Sequence, residues 1–91
     1  MREHTYAVEW SSLAEKQFQK IRDKKLKDQI LEIIEREIAR DPMIGKPLIF
    51  VFKGVRSYRA GRLRILYKPY ADRLVIVILK IEHRKSVYRL N

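Results

Sequence analysis

At Asp41-Pro42 the apolar residues of this chain stop recurring at helical spacing and begin to recur at strand spacing. Proline crowds the backbone of the residue before it and pushes that residue out of helical geometry. It also lacks the N–H that a continuing helix would need. The pair therefore divides the text into a helical part and a β part. Upstream, Leu26, Ile30, Ile33, Ile34 and Ile38 form one apolar stripe, with Lys27, Asp28, Glu35 and Arg36 on other faces. This spacing predicts a helix over 24–40, with Asp23 as its N-cap. Ala14, Phe18 and Ile21 predict an earlier helix over 12–22. Ser11 or Ser12 would cap it, and Glu15 stands where a capping box on Ser12 requires an acid. The two helices make a hairpin with almost no loop. Before them, Tyr6–Trp10 alternates weakly and carries β-formers, which predicts a strand.

Downstream, residues 43–47 read as loop. Leu48-Ile49-Phe50-Val51-Phe52 is an apolar β-prone run, Gly54 interrupts it, and Val55–Ala60 resumes as a strand. Gly61 reads as a tight turn. Leu63, Ile65 and Tyr67 then alternate with Arg62, Arg64 and Lys68, the pattern of a strand with one basic face. Pro69-Tyr70-Ala71-Asp72 reads as a turn. Leu74–Ile81 is apolar on both faces, as in a central strand covered on both sides. The order β-α-α-β-β-β predicts an α+β fold: an N-terminal strand and a helical hairpin packed on a mostly antiparallel sheet. No repeat or linker interrupts the text, so residues 1–91 are expected to form a single domain. Two helices cover one face of such a sheet, and the second apolar face calls for the tail or a partner chain.

The charge is divided at nearly the same place. Residues 1–45 hold nine Lys/Arg and nine Asp/Glu, and residues 46–91 hold twelve Lys/Arg against Asp72 and Glu82. The second part thus carries the whole net charge of +10. An unbalanced basic region repels itself unless it meets a polyanion, which points to nucleic acid. A basic membrane-surface helix fits less well, because this part reads as strands.

Several chemistries lack their residues. There is no cysteine, so disulfides and thiolate metal sites are excluded. His4 and His83 are the only histidines and neither stands near an acidic pair, so no metal or other cofactor is expected. No Ser–His–Asp spacing exists, and Gly45, Gly54 and Gly61 make no phosphate loop. No run reaches the ~18–20 apolar residues of a membrane span. The opening residues lack the apolar stretch of a signal peptide, so the expected location is the cytoplasm.

What remains is arginine, lysine and tyrosine. Arg56, Arg59, Arg62, Arg64 and Arg84 offer planar forks for phosphate. Tyr58, Tyr67, Tyr70 and Tyr88 are interleaved with them, and aromatic rings stack on unpaired bases. Tyr67 reads as a core residue of its strand, whereas Tyr58 and Tyr88 are open to function. Such a set can cleave RNA without metal, since the 2′-hydroxyl is an internal nucleophile. Arginines stabilise charge on the phosphoryl oxygens. A tyrosine ringed by arginines would have its pKa lowered enough to move protons.

Three stretches in order resemble the RelE/ParE superfamily of toxins from toxin–antitoxin pairs. They are the opening Tyr6–Ile21, the hairpin Val55–Tyr67 with Arg59, Gly61, Arg62, Arg64 and Tyr67, and the closing His83-Arg84-Lys85-Ser86-Val87-Tyr88-Arg89. The resemblance covers nearly the whole chain. It implies a type II toxin that acts as a metal-independent, ribosome-dependent mRNA endonuclease (an mRNA interferase), with mRNA and the ribosomal A site as partners. It implies a cognate RelB-like antitoxin over the exposed sheet face, with a heterotetramer as one assembly. By position it assigns catalytic roles to Arg64, Arg84, Tyr88 and Arg59. Lys53, Arg56, Tyr58, Arg62, His83 and Lys85 are the expected RNA contacts. RelE proper has two lysines in the register of Ser57 and Arg59; Arg59 stands for one, and Arg56 or Lys53 is the nearest cation to the other. The alternatives are a ParE-like inhibitor that binds DNA gyrase and an inactive nucleic-acid-binding relative.

Overall fold

The computed structural model describes residues 5–48 and 53–83. Strand β1 (Ala7–Trp10) leads into helices α1 (Ser12–Lys20) and α2 (Lys24–Ile33). A short strand β2 (Lys46–Pro47) and three longer ones follow: β3 (Arg56–Ala60), β4 (Leu63–Tyr70) and β5 (Val75–His83). They form one five-stranded sheet in the order β1-β5-β4-β3-β2. β1 runs parallel to β5 and every other pair is antiparallel, so the α+β fold has the expected mostly antiparallel sheet.

The helical hairpin covers one face. Ala14, Ile30, Ile33, Ile34 and Ile38 pack against Leu63, Ile65, Tyr67, Ile76, Ile78 and Ile81. Tyr67 is fully buried, as its place in the alternation requires. On the opposite face Val75 and Val77 of β5 are only half-buried, and Lys80 and Glu82 follow them. β5 is therefore flanked by strands on both edges but covered by helices on one face.

The element ends differ from the sequence reading in several places. Of the two serines read as caps, Ser11 caps α1, its hydroxyl accepting from Ala14 N–H at 3.0 Å; Ser12 is already helical, so the expected Ser12–Glu15 capping box does not form. Ile21 is extended, which ends α1 at Lys20 rather than at residue 22 and lets Asp23 cap α2. The second helix changes winding at Ile34–Ile38, a π turn in which Ala39 N–H reaches back to the Ile34 carbonyl. The wider turn keeps Ile34, Ile38 and Ala39 all buried. It also presents the Ala39 carbonyl to Tyr6 N–H, which ties the start of β1 to the end of this helix.

Pro69 and Tyr70 belong to β4, and the turn lies at residues 71–74. Pairing with β3 ends at Tyr67, so among the described residues Pro69 has a strand on one side only, where its missing N–H is tolerated. Lys46 and Pro47, read as loop, pair with Ser57 and Arg56. The run 49–52 lies outside the described residues.

Beyond Trp10 the edge of β5 loses its strand partner, and α1 takes over. Ser11 donates from its backbone to Ile78 and from its hydroxyl to Leu79. Gln17 Oε1 then accepts from Ile81 N–H at 2.8 Å. These side chains meet the need of exposed ladder groups for partners. They also fix the end of β5 that carries His83.

Candidate nucleic-acid interface

The β3–β4 turn and the end of β5 enclose a cleft of about 480 Å³. Its charged lining comes from Arg59, Arg62, Arg64, Lys80 and Glu82, with His83 beside them, on a floor of Leu63 and Ile81, and with Gln17 at the α1 side. The register explains this convergence. Gly61 adopts a positive φ of 62°, which suits a tight turn after Ala60. That turn sets Arg59 directly opposite Arg64, and the β4–β5 ladder sets Arg64 directly opposite Glu82. Arg59, Arg64 and Glu82 thus form one row across three strands.

Within the row, Arg64 Nη1 lies 3.7 Å from Glu82 Oε1, and Lys80 Nζ lies 3.3 Å from Glu82 Oε2. The side chains of Arg64, Lys80 and Glu82 are 46%, 45% and 39% exposed. They are open to a ligand yet held on the sheet.

Of the residues expected from the sequence, Arg59, Arg62, Arg64 and His83 come together here. Lys53 and Arg56 do not line the cleft, and Arg56 is committed elsewhere. Its Nε donates to the Gly45 carbonyl at 2.9 Å and its Nη2 to the Met43 carbonyl at 3.2 Å. Arg56 therefore fastens the 42–45 loop. Tyr58 packs against the helical core and donates from its hydroxyl to the Glu37 carboxylate. That hydrogen bond, then burial and the charge of Glu37, raises its pKa above the ordinary tyrosine value. Arg84, Lys85 and Tyr88 lie outside the described residues.

Three cleft residues escaped the sequence reading: Gln17, Lys80 and Glu82. Lys80 had a visible signal, being the one cation in the apolar run of β5. Gln17 had none, because its role depends on where β1 ends. Among the described residues, no three His, Asp or Glu side chains cluster as metal ligands, and no helix is long and apolar enough to cross a membrane.

The four cations Arg59, Arg62, Arg64 and Lys80 around an open cleft suit a chain of phosphates. Residues 8–88 match the family model for the ParE toxin of the type II toxin–antitoxin system parDE. The chain belongs to this RelE/ParE-type toxin family. The ParE-family chain is 31% identical over 85 residues to Toxin RelG of Mycobacterium tuberculosis (strain ATCC 25618 / H37Rv), a match that covers 92% of this chain and 97% of the relative. Its fold is similar to that in the toxin–antitoxin complex RelBE2 from Mycobacterium tuberculosis. The TM-score there is 0.83 at 27% identity, over 91% of this chain and 95% of the other. The archaeal RelE–RelB complex from Pyrococcus horikoshii OT3 contains a chain that matches at a TM-score of 0.60 and 29% identity, over 88% of this chain and 96% of that one.

Proposed function

We propose that this toxin is a metal-independent, ribosome-dependent mRNA endonuclease that arrests translation. The observation that carries this reading is the register row that brings Arg59 and Arg64 together, with Arg62 and His83 on the same cleft. Like charges in direct cross-strand register oppose folding. An anionic ligand accounts for their pairing in an open cleft.

In this reading the cleft receives the backbone of mRNA in the ribosomal A site. The 2′-oxygen of one nucleotide attacks the adjacent phosphorus, and the 5′-oxygen of the next nucleotide leaves. Negative charge grows on the phosphoryl oxygens as this happens, and preorganised guanidiniums stabilise it. Arg64 and Arg59 supply that charge from the sheet. Arg84 and Tyr88, assigned from the resemblance, would complete the set, with Tyr88 moving a proton. Lys53, Arg62, His83 and Lys85 would hold flanking phosphates, which adds salt-sensitive affinity but no chemistry. A RelB-like antitoxin is the proposed partner, supported by the complexes in which the similar chains were solved. It would act in the cytoplasm, where translating ribosomes are.

The name of the matched family favours a second reading, a ParE-like inhibitor that acts by binding DNA gyrase. One experiment separates the two. The toxin is induced, translation and replication are followed in parallel, and ribosome-bound mRNA is mapped by primer extension. Early loss of translation with discrete mRNA cuts supports the endonuclease. Early loss of replication with intact mRNA would sink it in favour of the gyrase reading.

A further inference from the structure

Glu82 is the only acidic side chain among the described residues that line the basic cleft. It cancels one positive charge where every other charged group favours a polyanion. A carboxylate that weakens the surface it sits in needs a reason. Stability does not supply one, because ion pairs this exposed contribute little. Nor does strand register, which the buried pair Ile65 and Ile81 already fixes beside it.

The row across the sheet supplies the reason. Arg64 stands between Arg59 on β3 and Glu82 on β5. Arg59 repels its guanidinium and Glu82 attracts it, so both forces direct it toward β5. The second carboxylate oxygen holds Lys80 at 3.3 Å. Two cations thus converge on the two oxygens of one anion, which holds both at the cleft where a phosphate would meet them.

We propose that Glu82 presets the basic cleft for an RNA phosphate: its carboxylate orients Arg64 and Lys80 in the free toxin and keeps one edge of the Arg64 guanidinium when RNA enters, leaving the other edge for the phosphate. The proposal rests on reading the cleft as an RNA-cleaving site, and it makes Glu82 a positioning residue. It predicts two effects of opposite sign. Glu82→Gln removes a charge that repels RNA, so binding tightens. The same change releases Arg64, so bond cleavage slows once RNA is bound. A residue that merely supported the fold would weaken both together.

The test uses the full-length toxin and two measurements. The first is the Kd for a fluorescent single-stranded RNA that carries 2′-methoxy groups and so cannot be cut. The second is the single-turnover rate of mRNA cleavage on translating ribosomes at saturating toxin. Glu82→Gln is expected to lower Kd about three- to tenfold at low salt, with the gain shrinking as salt rises. It is expected to slow saturated cleavage about tenfold or more, while Glu82→Asp recovers part of the rate. Unchanged or weaker RNA binding by Glu82→Gln overturns the proposal, as does an unchanged saturated rate. If the wild-type toxin cuts no mRNA, the endonuclease reading fails by itself. The Kd then decides the role of Glu82: a tighter complex sustains it and an unchanged one ends it.

Discussion

Arg59 and Arg64 face each other in direct register across the β3–β4 ladder, two like charges on neighbouring strands. Such a pair costs the fold roughly 0.2–1 kcal/mol. Arg59→Gln should therefore leave stability unchanged or raise it within that range in a thermal melt. The same change should weaken RNA binding and reduce the slope of log K against log salt by about 0.7 for a single strand. An unaltered salt slope would remove Arg59 from the interface.

Arg64→Ala should abolish growth arrest while the protein stays folded. Loss of one preorganised charge at a developing oxyanion typically costs about 10²–10³ in rate. The check is primer extension on ribosome-bound mRNA beside a circular dichroism melt. Full toxicity in a folded Arg64→Ala protein would contradict the proposed site.

Tyr67 is fully buried, and its hydroxyl bridges the 42–45 loop, accepting from Gly45 N–H at 3.0 Å and donating to the Pro42 carbonyl at 2.7 Å. Tyr67→Phe leaves a buried N–H without its partner, at a cost of about 1–3 kcal/mol. For a domain of this size each kcal/mol lowers Tm by roughly 4–8 °C. Gly45→Ala should cost at least as much, because a Cβ there would lie 2.7 Å from the Tyr67 hydroxyl and 3.0 Å from the Ser57 carbonyl. RNA binding per folded molecule should be unaffected by Tyr67→Phe, since the loop does not line the cleft.

Leu74 has a φ of 54° in the β4–β5 turn and is 46% exposed. A left-handed conformation costs a side-chain-bearing residue about 1–2 kcal/mol, whereas glycine adopts it freely. Glycine also loses more freedom on folding, which offsets roughly 0.5–1 kcal/mol of that relief. Leu74→Gly should therefore stabilise the protein by about 0.5–1 kcal/mol, read as a higher midpoint in urea. A lower midpoint would mean that the Leu74 side chain makes contacts that outweigh the strain.

Tyr58 and Tyr67 both have raised pKa values, Tyr58 first through its hydrogen bond to Glu37 and Tyr67 first through burial. A raised pKa means that the unfolded chain loses these protons first as pH rises. The stabilisation from both is thus complete below the ordinary tyrosine pKa near ~10 and is lost above it. Stability measured by denaturant should fall as pH climbs past about 10. Tyr58→Phe should flatten part of that fall, and a slope identical to wild type would show that the Glu37 contact is not maintained in solution.

The periods, the charge division and most of the local punctuation are written in the chain itself. Helical spacing up to Ile38, alternation from Leu63, the Asp23 cap, the Gly61 turn and the burial of Tyr67 all follow from neighbours within a few positions. Those are short-range effects, and the chain spells them out. The resemblance of three stretches to a toxin family was legible for the same reason, as strings of adjacent residues. Which basic residues share a site depends on the packed fold. Arg56 and Arg59 stand three positions apart on one strand, and the sequence offered both to RNA. The 42–45 loop claims Arg56 through two carbonyls, while the register with β4 and β5 delivers Arg59 to the cleft. Glu82 and Gln17 were silent for a related reason. One matters because it is the third member of a cross-strand row, the other because β1 ends before Ile81 does. Both relations join residues far apart in the chain, and long-range register is fixed by packing the two helices on the sheet rather than by any local run of residues.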